Sequence, residues 1–437
     1  MWPGALAFLA IGLALATSKT VDLSWRRLKK EEFFLTLQNS FNLHEVTELI
    51  LRGNEFDSFL DCSTNLDNLK ILDLSQNHLQ RFFFLCKEEY NLQVLNVSHN
   101  RLEYIDDNAL NDRITKLQVL DLSWNSLSAV NRTMLEHMKV LDFLSLANNP
   151  IVYGIHDDAF LNLGALKHLD LANVSAIEFS SELFKPLRNL ATLNISSNPI
   201  ETIPTLPTGL KYLDLSSTNI VRPSNLYLPK LQVLLMNAMP NLTSLLLNEF
   251  ENLTSLVSLS MADCTRFAQF RIWPPRGDLL PRLQRLVVRN CSIETLSGDL
   301  WPIMQKTTYL DLQYNPWNCD CRMEWIVTLN LSRDLTREIR CRTPEQHCNK
   351  RLIDIPRYEL QCEYLSNTFH LALWICILVL ILSGALASVF FLTRGTICQL
   401  IARSKSRDTV AYKNVVESSN DLVRILSVGE NPEAAEE

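Results

Sequence analysis

A nine-residue pattern, L-x-x-L-x-L-x-x-N, returns along this chain at a nearly fixed interval, and it limits the possible folds more than any other feature. LKILDLSQN at 69–77, LQVLNVSHN at 92–100, LQVLDLSWN at 117–125 and LDFLSLANN at 141–149 stand in series. LATLNISSN at 190–198 and TTYLDLQYN at 307–315 extend it. Weaker copies at 46–54, 166–174, 210–218, 231–239, 256–264 and 283–291 bring the number to twelve. The ninth positions are 54, 77, 100, 125, 149, 174, 198, 218, 239, 264, 291 and 315, mostly 23 to 25 residues apart. No unit of that length buries its apolar face alone, so the turns must stack into one continuous core with two open ends.

In each turn the L-x-L segment predicts a short strand, with both leucines inward and the residue between them on the concave face. The ninth-position Asn falls inside the bend, where its amide can pair backbone groups that would otherwise be buried alone. Large residues recur further along each turn, at Phe160, Phe184, Phe250 and Trp301, and are expected in the convex core. Period and motif together resemble the leucine-rich repeat family over about two thirds of the chain. The resemblance implies an α/β solenoid, a horseshoe with a parallel concave sheet.

NPWNCDCRMEW, at 315–325, follows the last repeat and is expected to close that end. Cys319 and Cys321 are followed by Cys341 and Cys362, at spacings of 20 and 21 residues from Cys321 and Cys341. The arrangement looks like the C-terminal flanking domain of extracellular leucine-rich repeat proteins such as Toll-like receptors, Slit proteins and platelet surface glycoproteins. That resemblance implies bridges Cys319–Cys341 and Cys321–Cys362, while the spacing alone leaves other pairings open. Zinc is the competing use of C-x-C, and an exported chain favours disulfides.

Two departures from that pattern matter. No paired-cysteine cap precedes the first repeat, so a capping segment at 19–45, with WRRLKKEEFF at 25–34, has to cover that end by packing. Cys348 is an additional cysteine inside the cap, free or bridging two chains, which leaves a homo- or heterodimer open. Cys62 and Cys86 fall at nearly equivalent places in adjacent turns and are candidates for a bridge on the convex side. Cys264 and Cys291 occupy ninth positions, where a buried thiol can stand in for Asn.

Apolar stretches flank the repeats. GALAFLAIGLALA at 4–16 is too short to span a bilayer and is followed by small residues, which predicts a signal peptide over 1–18. Residues 371–392 carry no charge and are long enough to cross about 30 Å of hydrocarbon. Beyond them Arg394, Arg403, Lys405, Arg407 and Lys413 outnumber Asp408, which puts the C-terminal side in the cytosol. The expected organisation is therefore signal peptide 1–18, capping segment 19–45, repeats 46–314, cysteine cap 315–363, linker 364–370, membrane helix 371–392 and short cytoplasmic tail 393–437. This describes a type I plasma-membrane protein whose tail is too short for an enzyme or a Toll-type signalling domain. Tyr412 to Val415, YKNV, resembles a tyrosine sorting signal, and Asp421 with Ile425 and Leu426 resembles an acidic dileucine signal; both would engage sorting adaptors. Cys398 is a candidate for palmitoylation.

The remaining composition narrows function mainly by exclusion. The net charge is −7 and the basic residues are dispersed, so no nucleic-acid partner is expected. With 11 glycines and no G-x-G-x-x-G, no nucleotide-cradling loop is written, and neither H-E-x-x-H nor G-x-S-x-G occurs. No catalytic, metal or cofactor site is expected. The function that remains is recognition of an extracellular or cell-surface protein, as an adhesion molecule or receptor, or as a co-receptor or trafficking regulator within one membrane.

Sequons lie at Asn96, Asn131, Asn173, Asn194, Asn241, Asn252, Asn290 and Asn330, all before the membrane segment. Asn96 and Asn194 fall mid-strand and Asn173 beside a strand, so glycans there would shield the concave face of the first seven repeats. The acid column Asp73, Asp121, Asp170, Asp214 and Asp311 also falls on that face, and Leu-Asp-Leu-Ser is a common spelling of this strand, so its favoured reading is structural. The intervals 198 to 218 and 218 to 239 shorten, with Pro204, Pro207, Pro223 and Pro229 in their convex connections. The longest interval, 264 to 291, contains Phe267, Phe270, Arg271, Trp273 and Arg276, residue types enriched at binding hot spots. Leu235 and Val287 place apolar groups where other turns carry Asp or Asn. The seven residues together form the expected partner surface.

Overall fold

The computed structural model describes residues 19–33, 43–61, 66–106, 109–224, 226–274, 278–329, 331–360, 371–390, 393–394, 400–401 and 403. They fall in two compact units, residues 1–361 and 362–437. The first unit is a solenoid, and thirteen parallel strands in sequential order line its concave side. Each strand is only a few residues long and pairs with its neighbours leucine to leucine: Leu72 opposite Leu95, Leu95 opposite Leu120, Leu120 opposite Leu144. These leucines are fully buried, together with Phe160, Phe184 and Phe250 on the convex side. Trp301 departs from its expected place: it is 42% exposed, and Leu300 and Ile303 fill that part of the core instead.

The Asn ladder exists atom for atom. Asn149 donates to the carbonyls of Leu122 (3.0 Å) and Leu146 (2.8 Å), while its Oδ1 accepts from the Leu127 N–H at 3.0 Å. Asn77, Asn100, Asn125, Asn198 and Asn315 repeat this bridge between turns. Backbone groups inside the bends would otherwise be unpaired, at a cost of about 1–3 kcal/mol each.

The residue just before each ninth position has a left-handed backbone. Gly53, Gln76, His99, Trp124, Asn148, Asn173, Ser197, Ser217, Ala238, Asp263, Asn290 and Tyr314 all have φ between 51° and 70°. The bend requires this conformation, which Gly adopts freely, Asn and Asp tolerate, and bulky side chains adopt at a cost.

The sheet has one strand more than the twelve repeats counted in the sequence. Lys19–Asp22 pairs parallel with Val46–Ile50, Val21 opposite Leu49, and places Trp25 at the left-handed position with φ 59°. VDLSW at 21–25 repeats LDLSW at 120–124, and that was the legible signal of this turn. Val21 in place of Leu and Arg26 in place of Asn hide it. Asn54 compensates by accepting from the N–H groups of Arg26 and Leu28 and donating to the Leu23 carbonyl. Leu23 and Phe33 are buried, and Phe33 meets Phe56 edge-on at 5.3 Å. The first end is thus covered by packing.

At the other end Trp317 is fully buried and donates its indole N–H to the Leu312 carbonyl at 3.1 Å. Trp317–Asn318 pairs with Cys341–Thr343, and the Cys319–Cys341 disulfide joins the same two segments, with Cα atoms 5.6 Å apart. Cys86 and Cys321 are also disulfide-bonded; Cys62 and Cys362, the partners expected for them, lie outside the described residues. Cys348 is exposed and free. In the second unit Leu371–Phe390 is a helix of 20 residues with mean hydropathy 2.6, long and apolar enough to cross a membrane.

Candidate recognition surfaces

The concave face shows what the acid column does. In each case the residue at the centre of the motif accepts, through one side-chain oxygen, the N–H two residues on: Asp73 from Ser75 (2.8 Å), Asp121 from Ser123 (2.9 Å), Asp170 from Ala172 (3.0 Å) and Asp214 from Ser216 (2.9 Å). Asn96 and Asn194 make the same bond. The side chain starts the bend that the left-handed residue completes, so the column is part of the folding device. The sequons at Asn96 and Asn194 sit inside it, and Asn194 is only 9% exposed. Their presence has a structural reason independent of any sugar.

Burial makes these carboxylates uncomfortable. Asp170 is raised to about 7, chiefly by burial, with repulsion from Asp121 and Asp214 added. Asp121 and Asp214 are pushed up for the same leading reason. Burial also lowers His168, whose Nδ1 lies 2.6 Å from the Thr192 hydroxyl.

The expected partner surface divides. Leu235 and Val287 face the concave side, Leu235 half-buried and Val287 8% exposed. The N–H two residues past Leu235, that of Asn237, is accepted by the Ser216 hydroxyl at 3.0 Å, and Asn237 Oδ1 in turn accepts from the Ala262 N–H and the Ser260 hydroxyl of the next turn. Phe267 and Phe270 are not available to a partner: both are buried and pack edge-to-face at 4.9 Å, plugging the convex core of their turn. Arg271 and Trp273 are exposed on the convex side, at the end of a two-stranded sheet of Ser244–Leu246 and Gln269–Arg271. Trp273 is 78% exposed, its backbone N–H held by Asn248 at 2.8 Å. Arg276 lies outside the described residues.

Sequence reasoning missed the flank formed by the left-handed column. Side chains there point away from both core and concave face, so composition does not mark them. At its first end the flank is aromatic. The Trp25 ring lies on Gly53, where any β-carbon would overlap it, and Trp25 remains 65% exposed. His99 and Trp124 stack face to face, centroids 5.2 Å apart at 9°, with Trp124 53% exposed. Farther along, Asn173 donates to Asn148 and Asn290 donates to Asp263, and the column ends at Tyr314 with Arg289 5.1 Å from its ring.

Among the sequons, Asn131, Asn173, Asn252 and Asn290 are exposed, and Asn241 is half-buried. Asn131 also caps a short helix, Arg132–Leu135, accepting from Met134 N–H. Asn330, Cys398 and the tail residues Tyr412, Val415, Asp421, Ile425 and Leu426 lie outside the described residues. No cluster of His, Cys, Asp and Glu suited to a metal ion occurs among the described residues.

Repeat, ladder and parallel sheet define a leucine-rich repeat protein. The leucine rich repeat family model matches residues 90–151, and the ladder and parallel sheet carry the same fold along the described repeats. Human vasorin is 26% identical over 260 residues, covering 59% of this chain and 28% of vasorin. Mouse Toll-like receptor 9 is 33% identical over 116 residues, covering 24% of this chain and 11% of the receptor. The chain therefore matches well under half the length of these relatives. Among solved structures, the TLR13–ssRNA13 complex superposes with TM-score 0.55 at 22% identity, covering 72% of this chain and 54% of that one. The Toll–Spätzle complex gives 0.53 at 21%, covering 73% and 46%. At those identities the likeness establishes the fold.

Proposed function

We propose that this chain is a cell-surface recognition protein that binds another protein through its repeat domain, as an adhesion molecule or receptor. The observation that carries the reading is Trp273: a tryptophan 78% exposed on a rigid scaffold, beside exposed Arg271, with no packing role. Tryptophan and arginine dominate the energetics of protein interfaces, and a rigid scaffold spares the entropy of ordering them. The apolar helix Leu371–Phe390 and the disulfide cap suit a type I ectodomain at the plasma membrane. A co-receptor role toward a receptor in the same membrane is the second reading, which the apolar helix Leu371–Phe390 also suits.

Proximity labelling on expressing cells, alone and in co-culture, separates the two readings. Neighbours gained only across cell contacts support adhesion or ligand reception, and neighbours present on isolated cells support the co-receptor. Trp273→Ala with Arg271→Ala should remove about 2 kcal/mol at each residue, weakening binding about a thousandfold at normal surface level. Unchanged neighbours would exclude this surface. Orientation has its own check: a tag after Glu437 should be detected only after permeabilisation, and labelling of intact cells would overturn the topology.

A further inference from the structure

The first end of the solenoid carries a surface that neither the fold nor the proposed convex contact uses. Trp25, Gly53, Gln76, His99 and Trp124 occupy the same left-handed position in five consecutive turns, so at about 4.8 Å per turn the row is roughly 20 Å long. The row is tied together across turns. The Arg52 guanidinium lies 5.9 Å from the Trp25 ring centre and its Nε donates to Gln76 at 3.0 Å. His99 lies flat on Trp124.

Folding does not explain these residue types. Elsewhere the same bend is made by Ser197, Ser217 and Ala238, and a left-handed tryptophan is the costlier choice. Nor does folding explain the charge. Arg26, Arg27, Arg52 and Arg101 are all exposed, and none has a carboxylate within salt-bridge distance among the described residues. Asp22 is one acid on this side, and it is held chiefly by Ser24, with a weaker attraction from Arg26. The equivalents of Arg52 in the next three turns are Ser75, Ser98 and Ser123. Two exposed tryptophans and the Arg52 guanidinium, which has no carboxylate within salt-bridge distance among the described residues, thus share one flank, and the first exposed sequon along it, Asn173, lies two turns beyond Trp124.

The geometry points to this flank as a docking surface for an acidic segment of another protein, one that places carboxylates on Arg52 and its neighbours and an aromatic or apolar side chain on Trp25 or Trp124. Charge complementarity selects the acid. The plates select the aromatic component, because stacking and apolar burial on tryptophan require a ring or hydrocarbon partner. The surface is distinct from Trp273, so either can fail without the other.

The full chain in detergent micelles can be tested with random poly(Glu,Tyr) as probe, against polyglutamate and heparin. The variants are Arg52→Ser and Trp124→Ser, each taking the residue that equivalent turns already carry, so the fold is retained. We expect poly(Glu,Tyr) to bind at least tenfold more tightly than polyglutamate. Each variant should weaken it about tenfold, and binding should fall with added salt. Equal binding of the two polymers, or binding unchanged in both variants, would overturn the proposal. Tighter binding of heparin that both variants abolish would overturn it in favour of a sulfated glycan. Self-association that both variants abolish would overturn it in favour of a second copy of this chain.

Discussion

Asn149 and Cys264 occupy the same position in two turns of one solenoid and pair their surroundings differently. Asn149 bonds three carbonyls, Leu122, Leu146 and Ala147, and one N–H, Leu127, at 2.8 to 3.4 Å. Cys264 reaches the Met236 and Ala262 carbonyls at 3.2 and 3.7 Å and takes the Met239 N–H at 3.4 Å, all through one sulfur. Its neighbours along the ladder are Met239, which has no strong donor, and Cys291, whose thiol meets the Met261 carbonyl at 3.2 Å. Most early turns are held by amide hydrogen bonds inside each bend, while the turns ending at Met239, Cys264 and Cys291 substitute soft side chains that fill the same volume before Asn315 restores the amide. Shorter repeats with proline connections lie at the start of the later region. One backbone shape is therefore reached by two kinds of interior, and the two should respond differently to substitution.

The sharpest difference should come from the ladder itself. Asn149→Ala leaves up to four backbone groups unpaired in a bend that excludes water, and should cost roughly 3–5 kcal/mol in chemical denaturation. A loss below about 1 kcal/mol would mean that water or a shifted backbone replaces the amide. Next comes the cap. Cys341→Ser removes the bridge to Cys319, with a sequence separation of 22 residues, and should cost about 3 kcal/mol and retain the chain inside the cell. Normal surface level would show that the later turns are closed by packing alone.

The third effect depends on pH. The Asp170 carboxyl is raised from 3.8 to about 7 in the folded chain. Its contribution to stability is therefore full below the unfolded value and is lost as pH rises through about 7. Asn at this position can keep the turn bond, as Asn96 and Asn194 do. Asp170→Asn should stabilise the chain by roughly 2 kcal/mol at pH 8, with a gain that shrinks toward pH 5. Thermal midpoints that do not converge on acidification would contradict the assignment. The smallest effect belongs to the later ladder: Cys264→Ala should cost about 1 kcal/mol, since it removes weak sulfur contacts and little volume. A cost equal to that of Asn149→Ala would erase the distinction between the two interiors.

The comparison also explains what could be read in advance. The leucine period fixed the stacking, and Asn at nine-residue ends placed the ladder, because each depends on residue type at a fixed spacing. Trp25 was hidden because its turn substitutes Val21 and Arg26 at the two diagnostic positions. The aromatic flank was invisible for a different reason: the left-handed bend accepts Gly, Ser, Asn, Tyr or Trp, so no residue type announces it. Phe267 and Phe270 carried the composition of a hot spot, but their burial is set by the turn that packs over them. Trp273, three residues past the buried Phe270, lies just beyond the strand and escapes that cover.

The central claim is that recognition uses exposed aromatic sites outside the concave sheet, whose aspartates serve the fold. One experiment addresses it directly: surface proximity labelling of the full chain in three forms at matched surface level. The first form is unaltered. The second carries Asp73→Asn with Ser75→Ala, Asp121→Asn with Ser123→Ala, and Asp170→Asn, the alanines preventing new N-x-S sequons, and the third carries Arg52→Ser, Trp124→Ser and Trp273→Ala. The account predicts that the concave variant keeps the neighbours of the unaltered chain while the aromatic variant loses them. Loss of neighbours in the concave variant, with the aromatic variant unaffected, would contradict it.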